Sequence, residues 1–243
     1  MFIWGINPVL EALRAKRVKG IRVGTRADKR VEEALALARE QRIPIEKVDP
    51  QVIDRAARGG VHQGIVAELE ALRDYSIDEL VAAASPPPPL LVVLDGVEDP
   101  HNLGAILRSV DAAGAHGVVR QARHAAAIEG IAAKASAGAV SHVKIATVVN
   151  IARALEELKE AGVWTVGLAG EATEAYDLVD YTLSTALVVG AEGEGLRRLT
   201  RERCDRLVHI PMLGSVSSLN VSVATGVALF EAARQRRVKS GRM

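Results

Sequence analysis

The sequence has one cysteine, Cys204, in 243 residues. An internal disulfide is excluded, and so is a cysteine-built metal cluster within one chain; no metal is expected. Aromatic residues are scarce, at 3%. The core must then be assembled from Ala, Val, Leu and Ile, whose small side chains allow close packing of helices on helices or on a sheet. Long apolar runs are missing too. None approaches the roughly 18 residues of a membrane span, and Leu90 to Leu94 has the length of a buried strand. No secretory signal is read at the N-terminus, so the cytoplasm is the expected compartment. Excess charge is absent: the net value is +1, so the chain as a whole is no polycation.

What is present is the composition of a globular protein, with 49% hydrophobic and 25% charged residues and enough length to bury a substantial core. Basic residues gather twice. One cluster is Arg14, Lys16, Arg17, Lys19 and Arg22; the other is Arg234, Arg236, Arg237, Lys239 and Arg242. Each reads either as a solvated face or as a contact for phosphate.

The clearest boundary is Ser85-Pro86-Pro87-Pro88-Pro89. Consecutive prolines fit neither a helix interior nor a central strand and favour a stiff extended spacer. The expected division is a small domain over 1–72, a connection over 73–89 that opens with a helical stretch at Ile77 to Ala84, and a larger domain over 90–243. The small domain reads as an α/β unit: a capped helix at Asn7-Pro8, a strand at Ile21 to Val23, a helix over Val31 to Gln41, a strand-like Ile43 to Ile45, and a strand running on from His62 to Ala67. In the larger domain, apolar strands are expected at Leu90–Asp95, Gly117–Val119, Trp164–Leu168, Ala186–Val189 and Leu207–Ile210. Helices are expected at Asn102–Ala113, Ile128–Ala132, Ile151–Ala161, Glu194–Arg198 and Ser218–Arg236. That alternation predicts an α/β fold with a mainly parallel sheet covered on both faces, and ligands beyond the carboxyl ends of the strands.

Three loops at those ends carry chemistry. Asp95 to Ser109 leaves a strand and enters a helix, with Asp99 as N-cap and Pro100 at the first helical position. Asn102 and Arg108 follow; they converge on one site or form no more than a capped helix with a surface Arg. Val189 to Leu196 holds Gly190, Gly193 and Gly195 around Glu192. Its spacing is the reverse of the dinucleotide fingerprint, and Glu192 would repel a pyrophosphate. Ile210 to Ala224 is Ser-rich, with Ser217 or Ser218 expected to cap a helix of small residues and Asn220 in its first turn. Capping accounts for one Ser there, and less well for Asn220 between Ser218 and Ser222.

Taken together, these loops resemble the SpoU family of RNA ribose methyltransferases. The shared motifs are Asp99-Pro100-x-Asn102-x-Gly104-Ala105-Ile106-x-Arg108, then Gly190-x-Glu192-Gly193-x-Gly195-Leu196, then Ile210-Pro211-Met212-x-Gly214-x-x-x-Ser218-Leu219-Asn220-Val221-Ser222. Trp4 to Leu13 and His62-Gln63-Gly64 resemble the start and end of the family's small RNA-binding domain, so the likeness spans the chain. It implies a C-terminal α/β domain tied in a trefoil knot, against the general rule that chains do not thread loops, and a small N-terminal α/β RNA-binding domain of the ribosomal-protein type. It implies S-adenosylmethionine as cofactor, held by Leu168, Gly170, Gly190, Gly195, Ile210, Met212 and Leu219. It implies Arg108, Asn102, Glu192, Ser218 and Asn220 as the residues at the reacting ribose 2′-hydroxyl.

Further expectations follow from the resemblance. The first basic cluster would grip RNA, and two copies would pair through the helix after Ser218. The substrate would be a guanosine in the peptidyl-transferase loop of large-subunit ribosomal RNA. The alternatives are transfer RNA or another ribosomal site, a non-catalytic RNA-binding protein, and an NAD-dependent oxidoreductase, which the missing early GxGxxG disfavours.

Overall fold

The computed structural model describes residues 2–24, 29–57, 59–70, 73–84, 88–122, 136 and 139–241. They form two compact units: the described residues up to 70 with 136 and 139–142, and the described residues from 73 to 122 and from 143 onward.

The first unit is a four-stranded sheet with helices. Its elements are β1 (Phe2–Trp4), α1 (Ile6–Arg14), β2 (Val18–Val23), α2 (Lys29–Glu40), β3 (Ile45–Lys47), α3 (Pro50–Ala56) and β4 (Ile65–Leu69). The strand order is β1-β4-β2-β3, with β4 antiparallel to both neighbours and β3 parallel to β2. Ile6, Val9, Leu10 and Leu13 recur at helical spacing and are buried on one face of α1. The cap expected from Asn7 is absent. Gly5 is the N-cap, and the Gln63 side chain accepts from the Ile6 N–H at 3.0 Å, while Asn7 accepts from Arg30 at 2.6 Å. Both β1 and α3 escaped the sequence reading, although Asp49 caps α3 ahead of Pro50 in the usual way.

The second unit is built on a seven-stranded sheet in the order β7-β6-β5-β10-β8-β11-β9. Its elements are α4 (Ile77–Ala82), β5 (Leu90–Asp95), α5 (Pro100–Ala112), β6 (Gly117–Gln121), β7 (Ile145–Val148), α6 (Ile151–Glu160), β8 (Trp164–Leu168), β9 (Glu174–Ala175), β10 (Thr185–Gly190), α7 (Arg198–Arg203), β11 (Arg206–His209) and α8 (Val221–Lys239). Every neighbouring pair is parallel. All six residues of β5 and of β10 are buried, which is why both read as continuous apolar runs. On one face, Leu91, Val93, Val119, Ala186 and Val188 meet Ile77 and Leu80 of α4 and Ile151, Leu155 and Leu158 of α6. On the other, α5 and α8 pack together against the sheet.

Two readings change and one gains detail. The stretch 73–89, expected to connect domains, carries a helix, α4, that sits in this core, and Asp74 accepts from the Thr147 N–H at 2.8 Å. The helix expected over Glu194–Arg198 is a turn, and α7 begins only at Arg198. Gly193 and Gly195 have φ of 83° and 69°, which a right-handed helix does not admit. Strands β7 and β9 were not anticipated, and the helix expected at Ile128–Ala132 lies outside the described residues.

The second basic cluster is tied down. Arg236 donates to the carbonyls of Tyr181, Pro89 and Leu183, each at 2.8 Å, and of Pro88 at 2.6 Å. Arg234 pairs with Glu231 at 2.7 Å, and Lys239 reaches Thr182 Oγ1 at 2.9 Å. Arg237 is exposed, and Arg242 lies outside the described residues.

Candidate active site

The three motif loops leave the carboxyl edge of the large sheet. Asp95 and Gly190 are register partners at the ends of the adjacent strands β5 and β10, so the loops after them start side by side. Asp99 caps α5 as expected, accepting from the His101 N–H at 2.9 Å. This places Asn102 in the opening turn, buried at 6% exposure. After β10 the chain doubles back at once: Ala191 and Gly195 exchange backbone hydrogen bonds of 3.0 and 2.9 Å. Gly190 makes this possible, because a Cβ there would lie 2.0 Å from the Gly195 carbonyl oxygen. Glu192 stands in the resulting turn.

Asn220, rather than Ser217 or Ser218, caps α8, accepting from the Ser222 N–H at 2.9 Å and from Ser222 Oγ at 2.6 Å. Its amide then donates to Asn102 Oδ1 at 2.9 Å and to Glu192 Oε1 at 3.2 Å. Asn102 Nδ2 donates to Glu192 Oε2 at 3.0 Å. Three residues from three loops, 118 positions apart at the extremes, thus close a polar triangle. Both amides spend donors on the one carboxylate, which fixes their orientation.

The other expected residues fall around it. Arg108 is exposed farther along α5, with no hydrogen bond or ion pair to the described residues. Ser218 is exposed and outside the triangle. Leu168, Gly190 and Ile210 lie at or just past the ends of the adjacent strands β8, β10 and β11. Gly170 has open space where a side chain would stand, and so does Gly195. Met212 and Leu219 are half-buried.

A cavity of about 350 Å³ opens beside the triangle, lined by Glu98, Asn102, Glu192, Glu194 and Arg197 among others. Arg197 and Asp95 were not singled out as site residues. The Arg197 N–H donates to Asp95 Oδ2 at 2.9 Å, and its Nη1 donates to Gln121 Oε1 at 2.6 Å. An acidic residue closing a wholly apolar strand was the available signal, since a buried carboxylate needs a partner. Cys204 takes no part: burial pushes its thiol up to about 12, and it donates to the Thr200 carbonyl at 3.3 Å. Among the described residues no group of His, Cys, Asp and Glu could hold a metal ion.

In the first unit the expected RNA contacts divide. Arg14 is exposed beside Glu11, Lys16 is exposed, and exposed Lys19 is the extra residue of a bulge between Val18 and Gly20. Arg17 instead donates to the carbonyls of Val140 at 3.1 Å and Glu70 at 3.4 Å. Arg22 pairs with Glu46 at 3.6 Å and lies 5.2 Å from the centre of the Phe2 ring.

Similarity to known proteins covers both units. Residues 89–230 match the model of the SpoU rRNA Methylase family, and residues 2–75 match the model for RNA 2'-O ribose methyltransferase substrate binding. The 23S rRNA (guanosine-2'-O-)-methyltransferase RlmB of Pseudomonas putida is 47% identical over 243 residues, covering 98% of this chain and 97% of that protein. Its namesake from Escherichia coli is 49% identical over 214 residues, 87% of each. Among solved structures, the SpoU methyltransferase AviRb from Streptomyces viridochromogenes, in complex with AdoMet, superposes with a TM-score of 0.82 at 27% identity, covering 98% of this chain and 91% of that one. With such matches along nearly its whole length, this chain belongs to the SpoU rRNA methylase family.

Proposed function

We propose that this protein transfers a methyl group from S-adenosylmethionine to the ribose 2′-hydroxyl of a guanosine in 23S ribosomal RNA, at the peptidyl-transferase loop. The observation that carries the chemistry is the Asn102–Glu192–Asn220 triangle at the carboxyl edge of the parallel sheet. The substrate rests on the near full-length identity to RlmB proteins.

The cofactor fits the residues present. Leu168, Gly170, Gly190, Gly195, Ile210, Met212 and Leu219 offer backbone groups and apolar surface around open strand ends, and the nearby carboxylates favour a cation. When bound, S-adenosylmethionine supplies a methyl group on a sulfonium, already a good leaving group. The chain's task is the alcohol. Orienting it is worth on the order of 7–11 kcal/mol in favourable cases. Arg108, permanently charged and unpaired within the described residues, stabilises charge developing on the 2′-oxygen while an adjacent phosphate oxygen takes the proton. Asn102, Glu192 and Asn220 set the geometry, and Ser218 contacts the ribose.

The remaining expectations belong to the same reading. Residues 1–72 hold the RNA through Arg14, Lys16 and Lys19, residues 73–89 connect, and residues 90–243 form the knotted transferase domain. Two copies pair through α8, whose Val223 and Phe230 lie seven residues apart on one face and are about half exposed. The protein works in the cytoplasm; no described helix is long and apolar enough to cross a membrane.

The test is incubation with tritiated S-adenosylmethionine and unmodified 23S transcript, followed by mapping of the label through resistance to alkaline hydrolysis. Label at one guanosine ribose of the loop is expected. Label on transfer RNA alone would overturn the substrate. Near-full turnover by Arg108→Lys would overturn the role of the planar guanidinium.

A further inference from the structure

The cavity beside the triangle has more chemistry than methyl transfer requires. We infer that it receives the base of the target nucleotide and is built to recognise guanine, with Glu194 and Arg197 as specificity residues. This rests on the methyl-transfer reading above.

The charge of the wall excludes a phosphate as occupant. Four carboxylates, Glu98, Asp99, Glu192 and Glu194, face one guanidinium, Arg197. A phosphate entering there meets net repulsion. A neutral base that carries both donors and acceptors does not. At about 350 Å³ the cavity has room for one purine, and bases in RNA loops can be splayed out of the stack and read on their edges by hydrogen bonds.

Two side chains are available to read that base. Asp99 is occupied as a helix cap and Glu192 by the two amides. Glu194 has no hydrogen bond or ion pair to the described residues. Arg197 is braced from behind. Its Nη1 is held by Gln121 at 2.6 Å and lies 3.5 Å from Asp95 Oδ1, a buried oxygen with no hydrogen-bond partner among the described residues. The Arg197 Nη2 lies over Gly96, 3.2 Å from where a side chain would begin, and has no hydrogen-bond partner among the described residues. The guanidinium is thus fixed in place with donors left over.

Guanine matches this pair. Its O6 and N7 are both acceptors and suit an Arg fork. Its N1–H and N2–H donors lie side by side and suit a carboxylate. Adenine puts a donor at position 6 and an acceptor at N1, so it meets both side chains wrongly. Hypoxanthine keeps O6, N7 and N1–H but lacks the 2-amino group. A site built to bond a substrate group rejects the analogue lacking it, because its own polar group is left unpaired.

The experiment compares 23S transcripts carrying guanosine, inosine or adenosine at the target position, with kcat/KM for methyl transfer as the readout. The wild type is expected to prefer guanosine over inosine by about tenfold and over adenosine by more than a hundredfold. Glu194→Gln should bring the guanosine-to-inosine ratio near one while cofactor affinity is unchanged. Arg197→Ala should lower transfer to guanosine and inosine alike. Equal use of guanosine and inosine by the wild type would overturn the inference, as would an undiminished ratio in Glu194→Gln. The substrate arm needs no variant to fold. Absence of transfer to the guanosine transcript would instead overturn the functional reading, and this inference with it.

Discussion

Two basic clusters that look alike in the sequence meet opposite fates in the structure. The early one leaves Arg14, Lys16 and Lys19 on the surface. In the late one Arg236 is drawn inward, with four main-chain carbonyls gathered on it, while Arg234, Arg237 and Lys239 stay exposed. A cation on the surface keeps its water and attracts phosphate. One placed among carbonyls exchanges that water for fixed dipoles and becomes a rivet joining α8 to the residues before β5. What separates them is not the charge but what the fold brings opposite it.

The largest expected effect breaks the late cluster. Arg236→Met removes the donor of the Tyr181 and Pro88 carbonyls and one of two donors of the Pro89 and Leu183 carbonyls, which Thr185 also serves. It should cost about 2–4 kcal/mol of stability, read as a lower midpoint in urea. RNA affinity per folded molecule should hardly move. The reverse holds for the early cluster. Lys16→Ala with Lys19→Ala should weaken RNA binding by roughly tenfold at 0.1 M salt and flatten the log–log salt dependence by about two, with the urea midpoint unchanged. A salt-independent affinity in the wild type would dissolve the contrast.

Acidification sharpens it further. Burial, and after it the charge of Arg236, hold the His116 imidazole below its usual value, where its Nδ1 accepts from the Leu90 N–H at 3.0 Å. The unfolded chain therefore takes up the proton first. Stability should be complete above pH ~6.5 and fall as pH drops through the folded value, by at most about 1.4 kcal/mol per pH unit. His116→Asn, which keeps an acceptor, should flatten that part of the profile. The smallest effect is expected at Arg237, an exposed member of the late cluster. Arg237→Ala should shift stability by less than about 0.5 kcal/mol.

These clusters also mark where the sequence stops being informative. Strands β5 and β8 were legible to the residue, because short, mostly apolar runs stand between clear breaks in both, even though β5 ends in Asp95 and β8 holds Thr165 and a half-exposed Trp164. Asp99 and Pro100 announced the start of α5 equally well. The cap of α1 was misread because its acceptor, Gln63, lies 57 residues away. The helix expected at Glu194 failed because two glycines with positive φ outweigh a favourable composition. At the site, Asn102, Glu192 and Asn220 could be named from motifs, but not their contact with one another, which only the sheet order creates. Arg197 and Asp95 gave no motif. Their pairing depends on β5, β6 and the turn before α7 ending at one level.

The polar triangle also sets a timetable. Asn102 and Asn220 are separated by 118 positions, and synthesis at about 5–20 residues per second puts some 6–24 seconds between them. During that interval a growing chain holds one corner of the triangle and lacks another. Asn220 caps the last described helix, so a product truncated anywhere ahead of it holds at most two of the three corners. The triangle thus closes late and all at once, when the last of its three corners has been made.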